Sequence, residues 1–361
     1  MVFGRRLFLA MLLAVVLLPA CPQDEQQQAA TAAADTAPAT GPAPSRPVTP
    51  AAAGTDELAG NWDAQVRGRL LEMVARVKTA PGQPVPLAVF DFDNTCIRGD
   101  LGRAFYDHMI KTAGFHFDDQ VWQAFPEGQR QAIRQAWQAL QKLPADKRAG
   151  SPQLALARKL MHTAYWSLCR DPDANKCYPW QVRFYAGYTP VQLQRLASQV
   201  FAAELQRPLA SEMIRTGPDD RGPAITASGI RVVPEIKALI GLLEKKGFEV
   251  WIVTAGPQWV VAGAASSLGV SPEKVIGMRT RLQEGKLTTE IEPPPTFRAG
   301  KVEAIKKFIG RKPLLAVGDS WTDAEMLDYA EHALLIDRGY ADLKKKAQQA
   351  GWWIQPAFAV K

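Results

Sequence analysis

Short apolar runs alternate with amphipathic stretches through the C-terminal part of the chain. "IKALIGLLEKKG" (236–247) has apolar positions at helical spacing and closes on a glycine. "FEVWIVTAG" follows as a strand, "QWVVAGAASSLG" as a helix and "KVIGMRTRL" as a strand. The pattern recurs in "KVEAIKKFIG", "KPLLAVGD", "DAEMLDYA" and "HALLID". Upstream, "NWDAQVRGRLLEMVARV" (61–77) predicts a helix with Asn61 as N-cap, and "VPLAVFDFD" (85–93) a short buried strand. Alternating strands and helices predict an α/β fold: a Rossmann-like open parallel sheet with helices on both faces. In such sheets ligands bind outside the carboxyl ends of the strands. Three of the predicted strands end there in groups able to do chemistry, Asp91, Thr254 and Asp319.

Between the first two strands the alternation stops. Residues 101–232 carry helical segments such as "GQRQAIRQAWQALQKL", "QLALARKLMHTAYWSL" and "PVQLQRLASQVFAAELQ". They predict an inserted helical cap, with the catalytic core formed by 57–100 and 233–361. Its aromatics, among them Trp122, Trp137, Trp166, Tyr178, Trp180, Phe184, Tyr185 and Tyr188, read mainly as the core of that insert.

The N-terminus has a different pattern. Arg5 and Arg6 precede an apolar stretch from Leu7 to Leu18, too short to favour a spanning helix, so residues 1–20 read as a secretory signal. Leu18-Pro19-Ala20-Cys21 resembles the lipobox of bacterial lipoproteins, which implies lipid on Cys21 and a periplasmic-side or outer-membrane location in the bacterial envelope. An ordinary cleaved signal and an uncleaved anchor are the alternatives. Residues 21–56, rich in Ala, Pro, Gln and Thr, bury too little apolar surface to offset ordering entropy and read as a disordered tether.

Composition adds little: 361 residues, 47% hydrophobic and 22% charged, are ordinary globular values. The net charge of +7 is scattered, with no Lys/Arg block of the kind that marks a nucleic-acid partner. Of the four cysteines, Cys169 and Cys177 flank "RDPDANK", a turn-forming stretch that a disulfide can close. A metal site is the alternative there, without a His or further Cys close by. Cys96 reads as a small buried filler.

The strand-end residues are the chemical signal. Asp91 and Asp93 lie two apart in "DFDNT", and two carboxylates that close need a cation nearby to stay ionised. "DFDNT" (91–95), "VTAG" (253–256), Gly300-Lys301 and "GDSWTD" (318–323) resemble, in order and spacing, the signature motifs of the haloacid dehalogenase-like hydrolases. The insertion point resembles that of the phosphoserine-phosphatase-like branch. "FDFDNTCIRGDL" and "TFRAGKVEAIKKFI" further resemble the secreted bacterial phosphorylcholine phosphatases, which tend to carry Ser where this chain has Thr254.

The resemblance implies a magnesium-dependent phosphomonoester hydrolase acting on a small phosphorylated metabolite, phosphorylcholine- or phosphoserine-like. Asp91 is then the nucleophile that forms an aspartyl-phosphate, and Asp93 protonates the leaving group and later activates water. Asp91 and Asp319 would ligate magnesium through side chains and Asp93 through its carbonyl, with Asp323 supporting from behind. Asp323 also reads as an N-cap for "DAEML". Thr254, the backbone of Ala255 and Gly256 at a helix start, and Lys301 would hold the phosphate. Asp100 reads either as a partner for a substrate cation or as a turn residue. A phosphotransferase using the same intermediate, and a non-catalytic envelope lipoprotein, are the alternative functions. The second would be expected to lack one of Asp91, Asp93, Lys301 or Asp319, and all are present. The sequence leaves the oligomeric state open.

Overall fold

The protein is described by a computed structural model over residues 58–77, 84–169 and 176–360. The signal, the tether and Cys21 lie outside the described residues.

Helix α1 (Ala64–Arg76) leads into strand β1 (Leu87–Phe90) and the two-residue strand β2 (Ile97–Arg98). Then come α2 (Leu101–Lys111), α3 (Asp119–Gln123), α4 (Glu127–Gln141), α5 (Ala145–Arg148), α6 (Pro152–Cys169), α7 (Cys177–Val182) and α8 (Pro190–Glu204). A hairpin, β3 (Ala210–Ile214) and β4 (Ala224–Ser228), precedes β5 (Arg231–Val232). The remainder is α9 (Pro234–Lys245), β6 (Glu249–Pro257), α10 (Gln258–Ala265), β7 (Val275–Met278), β8 (Thr280–Gln283), β9 (Lys286–Ile291), α11 (Ala299–Phe308), β10 (Leu315–Gly318), α12 (Ala324–Tyr329), β11 (His332–Asp337), α13 (Ala341–Ala350) and β12 (Trp353–Pro356).

Six strands form one parallel sheet in the order β12-β11-β10-β1-β6-β7, the open α/β architecture that the alternation predicts. All four residues of β1 are buried because both faces of the sheet are covered. Ala88 and Phe90 join a core with Leu70 of α1, Leu239 of α9 and Val261 of α10. Leu87 and Val89 join the opposite core with Ile305 of α11, Leu327 of α12 and Leu343 of α13. The central position of β1, between β10 and β6, puts its carboxyl end at the middle of the sheet edge.

Several boundaries differ from the sequence reading. Asp63, not Asn61, caps α1, accepting from the Gln65 and Val66 amides. "KVIGMRTRL" is not one strand: β7 stays in the sheet, while β8 leaves it to pair with β9. The turn is Glu284-Gly285, both at positive φ. The 101–232 stretch contains the β3–β4 hairpin as well as helices. Beyond the elements read from sequence, α13 leads to β12, which extends the sheet.

The inserted stretch leaves and re-enters through one ladder, in which Ile97 faces Val232 and Arg98 faces Arg231. The interior of the insert is aromatic: Tyr106, Phe115, Phe125, Trp137, Trp180, Phe184 and Tyr185 are all buried. Phe125 and Phe184 stack at 4.7 Å between ring centroids, and Trp180 meets Phe184 edge-on at 4.4 Å. A buried ion cluster ties its helices. Arg158 of α6 grips Asp107 of α2 with Nε at 2.8 Å and a second guanidinium nitrogen at 3.0 Å, and donates to Glu212 of β3 at 2.7 Å. Despite its burial, the His162 ring nitrogen 3.0 Å away and then Arg158 hold the Asp107 carboxyl well below the usual range. Helix α8 packs closely on α10: a side chain at Gly263 would start 2.4 Å from the Gln194 carbonyl oxygen. Cys169 and Cys177 form a disulfide between the end of α6 and the start of α7.

Candidate active site

The site is built on strand ends. The Asp91 amide still pairs with the Val317 carbonyl at 2.9 Å, so β1 and β10 hold the nucleophile candidate in register up to its own backbone. The chain then turns: the Thr95, Cys96 and Ile97 amides all donate to the Phe92 carbonyl, and Asn94 takes positive φ, which Asn tolerates. The buried Cys96 fills the turn, and its thiol donates to the Asp91 carbonyl at 3.1 Å.

Three carboxylates converge there. Oxygens of Asp91, Asp319 and Asp323 lie within 4.8 Å of one another, and all three residues are buried. Lys301 sits in the same space with no solvent exposure. Its Nζ donates to Asp91 Oδ1 at 2.7 Å and to Asp323 Oδ1 at 2.6 Å. Burial alone would lower the Lys301 pKa, but Asp323 and Asp91 outweigh it and keep the ammonium charged. Two glycines make this approach feasible. A side chain at Gly300 would start 1.7 Å from the Pro295 carbonyl oxygen, and one at Gly318 would start 2.6 Å from Asp323 Cβ. The Arg298 amide donates to the Thr322 carbonyl at 2.8 Å, joining the start of α11 to the turn that carries Asp323.

Asp323 is a brace. Its Oδ2 accepts from the amides of Asp319 and Ser320, both at 3.1 Å, as the far member of a capping box. It makes no side-chain cap to α12, contrary to the N-cap expectation. With Oδ1 on Lys301, both Asp323 oxygens are engaged by protein donors. Asp319 is held by two residues that the sequence reading did not single out. Thr95 Oγ1 donates to one oxygen at 3.2 Å, and a guanidinium nitrogen of Arg338 donates to the other at 2.8 Å. Arg338 follows β11, the neighbour of β10, so its signal was a cation just past another strand end.

Asp93 is partly buried, and its Oδ1 accepts from the Leu101 amide at 2.8 Å. Desolvation, then the charge of Asp100, push its carboxyl pKa well up. Asp100 caps α2, accepting from the Arg103 amide at 2.8 Å. Thr254 is buried, and its Oγ1 accepts from the Gly256 amide at 2.9 Å, leaving the hydroxyl proton to donate. Ala255 and Gly256 lie within β6, not at a helix start; α10 begins only at Gln258. The β1 pairing ends at Ile252, and the β7 register breaks between Val253 and Pro257, so Thr254–Gly256 bulge out at the sheet edge.

The donor set fits a hard divalent cation. Among the described residues, the ion pairs of Asp91, Asp93, Asp319 and Asp323 are with Lys301 and Arg338, a surplus of two negative charges if all are ionised. Desolvation, with these neighbouring carboxylates, pushes the Asp91 pKa well up when no cation is present. Oxygen ligands of this kind suit magnesium.

Buried acids at the carboxyl edge of a parallel sheet are thus braced by a buried lysine. Residues 153–328 match the family described as haloacid dehalogenase-like hydrolase. The matched segment holds Thr254, Lys301, Asp319 and Asp323; Asp91 and Asp93 lie before it. The chain is similar to a phosphorylcholine phosphatase of Pseudomonas aeruginosa, 25% identical over 64% of this chain and 68% of that one. A phosphoserine phosphatase of Halobacterium salinarum is 30% identical over 34% of this chain and 59% of its own length. The crystal structure of a functionally unknown protein from Anaerococcus prevotii superimposes with a TM-score of 0.71 at 23% identity, over 83% of this chain and 94% of that one, and shares the fold.

Proposed function

We propose that the protein is a phosphomonoester hydrolase working through an aspartyl-phosphate on Asp91. The observation that carries this reading is the convergence of Asp91, Lys301, Asp319 and Asp323 at the carboxyl ends of β1 and β10. The names of the relatives support a phosphorylcholine- or phosphoserine-like substrate.

Asp91 attacks phosphorus, and the ester P–O bond breaks on the far side. Asp93, whose raised pKa suits it to carry a proton, gives that proton to the departing alkoxide. The resulting carboxylate then takes a proton from water, whose oxygen attacks the phosphorus of the aspartyl-phosphate, releasing inorganic phosphate and restoring Asp91. Lys301 places a fixed positive charge against Asp91, and the Thr254 hydroxyl offers a proton to a phosphate oxygen. Asp91, Asp319 and the Asp93 carbonyl would hold magnesium, which supplies charge neutralisation of the transferring group. Asp323 keeps its oxygens on Lys301 and the 319–320 amides. We read residues 101–232 as a cap over this site.

The test is a panel of phosphomonoesters, including phosphorylcholine, phosphoserine and sugar phosphates, ranked by kcat/KM with magnesium present. Turnover of none of them overturns the reading. Phosphoryl transfer to an added alcohol in preference to water makes the protein a transferase. EDTA is expected to reduce turnover by at least about tenfold, and excess magnesium to restore it; full activity in EDTA sinks the metal assignment. We also propose that Cys21 carries the lipid that holds the enzyme to the bacterial envelope. Cys21→Ser should shift the protein from the membrane pellet to the soluble fraction, and retention in the pellet overturns the anchor.

A further inference from the structure

The disulfide and the residue after it extend the site. Cys177 opens α7, and Tyr178 follows it at once. Each turn of this short helix is fastened to a different part of the molecule. Cys177 is bonded to the end of α6. Trp180 enters the aromatic core of the insert, with its indole N–H on the Ala124 carbonyl at 2.8 Å. Gln181 Nε2 donates to the Gly102 carbonyl at 2.7 Å. A side chain at Gly102 would start 3.1 Å from Pro257, 3.4 Å from Asp100 Oδ1 and 3.9 Å from Gln181 Nε2. Helix α7 therefore stands where the nucleophile loop meets the end of β6.

Tyr178 reaches the other way. Its ring centroid is 6.0 Å from that of Phe297, four residues before Lys301. Helix α7 thus runs from the Asp100–Gly102 side of the site to the Lys301 side. The Tyr178 hydroxyl has no hydrogen-bond partner among the described residues. Burial, followed by the charges of Asp100, Asp91, Asp323 and Asp319, pushes its pKa up, so the hydroxyl is a neutral donor.

In-line attack by Asp91 sends the leaving group away from the strand ends. The phosphate oxygens belong with Thr254 and Lys301 on the sheet. A side chain brought in by the insert meets the opposite half of the ester. Resting on the phosphatase reading above, we propose that Tyr178 is a specificity-determining residue contacting the organic half of the ester, and that the Cys169–Cys177 disulfide holds it in place. The disulfide is then a positioning element of the site as well as a staple.

Two substrates test this: p-nitrophenyl phosphate, with a bulky leaving group, and acetyl phosphate, with a small one. Tyr178→Ala should raise KM for the aryl ester about five- to tenfold with kcat within about twofold, and leave KM for acetyl phosphate within about twofold. Tyr178→Phe, which keeps the ring and its packing, should give a smaller shift of the same sign. Cys169→Ser with Cys177→Ser should reproduce the aryl-selective rise, and add nothing to it in the Tyr178→Ala background. Binding of inorganic phosphate, measured calorimetrically, should be unchanged in every variant. Equal KM ratios for wild type and Tyr178→Ala overturn the Tyr178 assignment alone. Additive effects of the cysteine and tyrosine changes overturn the positioning role of the disulfide. A wild-type protein that hydrolyses neither substrate overturns the phosphatase reading, and this inference with it.

Discussion

Asp91→Asn is expected to fold normally and to lose turnover of p-nitrophenyl phosphate by about a thousandfold or more. The amide keeps the shape of the carboxylate and can still accept from Lys301 Nζ, now 2.7 Å from Oδ1. It cannot attack phosphorus. The stability prediction runs in the opposite direction to the activity. Burial and the neighbouring Asp323 raise the Asp91 pKa, so the ionised carboxylate is a cost to the ligand-free fold. Neutralising it should leave Tm unchanged or slightly higher. Residual turnover above about a hundredth of wild type removes Asp91 from the nucleophile role. A large fall in Tm would mean that the carboxylate is chiefly structural.

Lys301→Met is expected to damage both fold and function. The ammonium has no solvent exposure and bridges Asp91 and Asp323 at 2.7 and 2.6 Å. Removing one partner of a buried ion pair leaves an uncompensated charge, at a cost of about 3–5 kcal/mol. For a protein of this size, that corresponds to a fall in Tm of about 5–10 °C. Excess magnesium should recover part of the Tm, because it would neutralise Asp91, one of the two carboxylates, but should not recover turnover. Lys301→Arg restores the charge, yet the larger planar head does not fit two partners in a fully buried space. A Lys301→Met protein with wild-type Tm in EDTA would overturn the view that the Lys301 ammonium compensates buried charge.

The sheet was legible because its strands are buried on both faces and read as continuous apolar runs between helical patterns. Asp91, Thr254 and Asp319 were conspicuous for the same reason: a polar residue ending an apolar run has little reason to be there except chemistry. Lys301, at a helix start, was legible only through the resemblance of Gly300-Lys301 to a family motif. What escaped were contacts made between distant segments. Nothing near Arg338 in sequence announces Asp319, which it meets only because β10 and β11 run side by side. Thr95 reaches the same carboxylate from the turn after Asp91. The β8–β9 hairpin was missed because "MRTRL" continues the apolar spacing of β7 without a visible break, although Glu284-Gly285 carried a turn signal. Asp323 read both as a support for Lys301 and as a helix cap, because the Asp-before-helix pattern is the same whether the carboxylate turns forward or back; it turns back. The aromatics of the insert were legible as core, since alternating packing among so many rings leaves few exposed.

The β2–β5 ladder carries a lesson in modularity. Arg98 and Arg231 are paired, so removing everything between them leaves two ends that a tight turn could rejoin. Topologically the insert is a cassette, exchangeable without disturbing the order of the sheet. Energetically it is not. Helix α8 covers α10 through the contact at Gly263, and the apolar Val260, Val261 and Ala264 of α10 are buried. An exchanged cassette that did not bring its own cover for α10 would expose that surface next to the Thr254 loop. Grafting a different insert onto this sheet therefore calls for carrying α8 along with the core, and cutting between α8 and the elements before it.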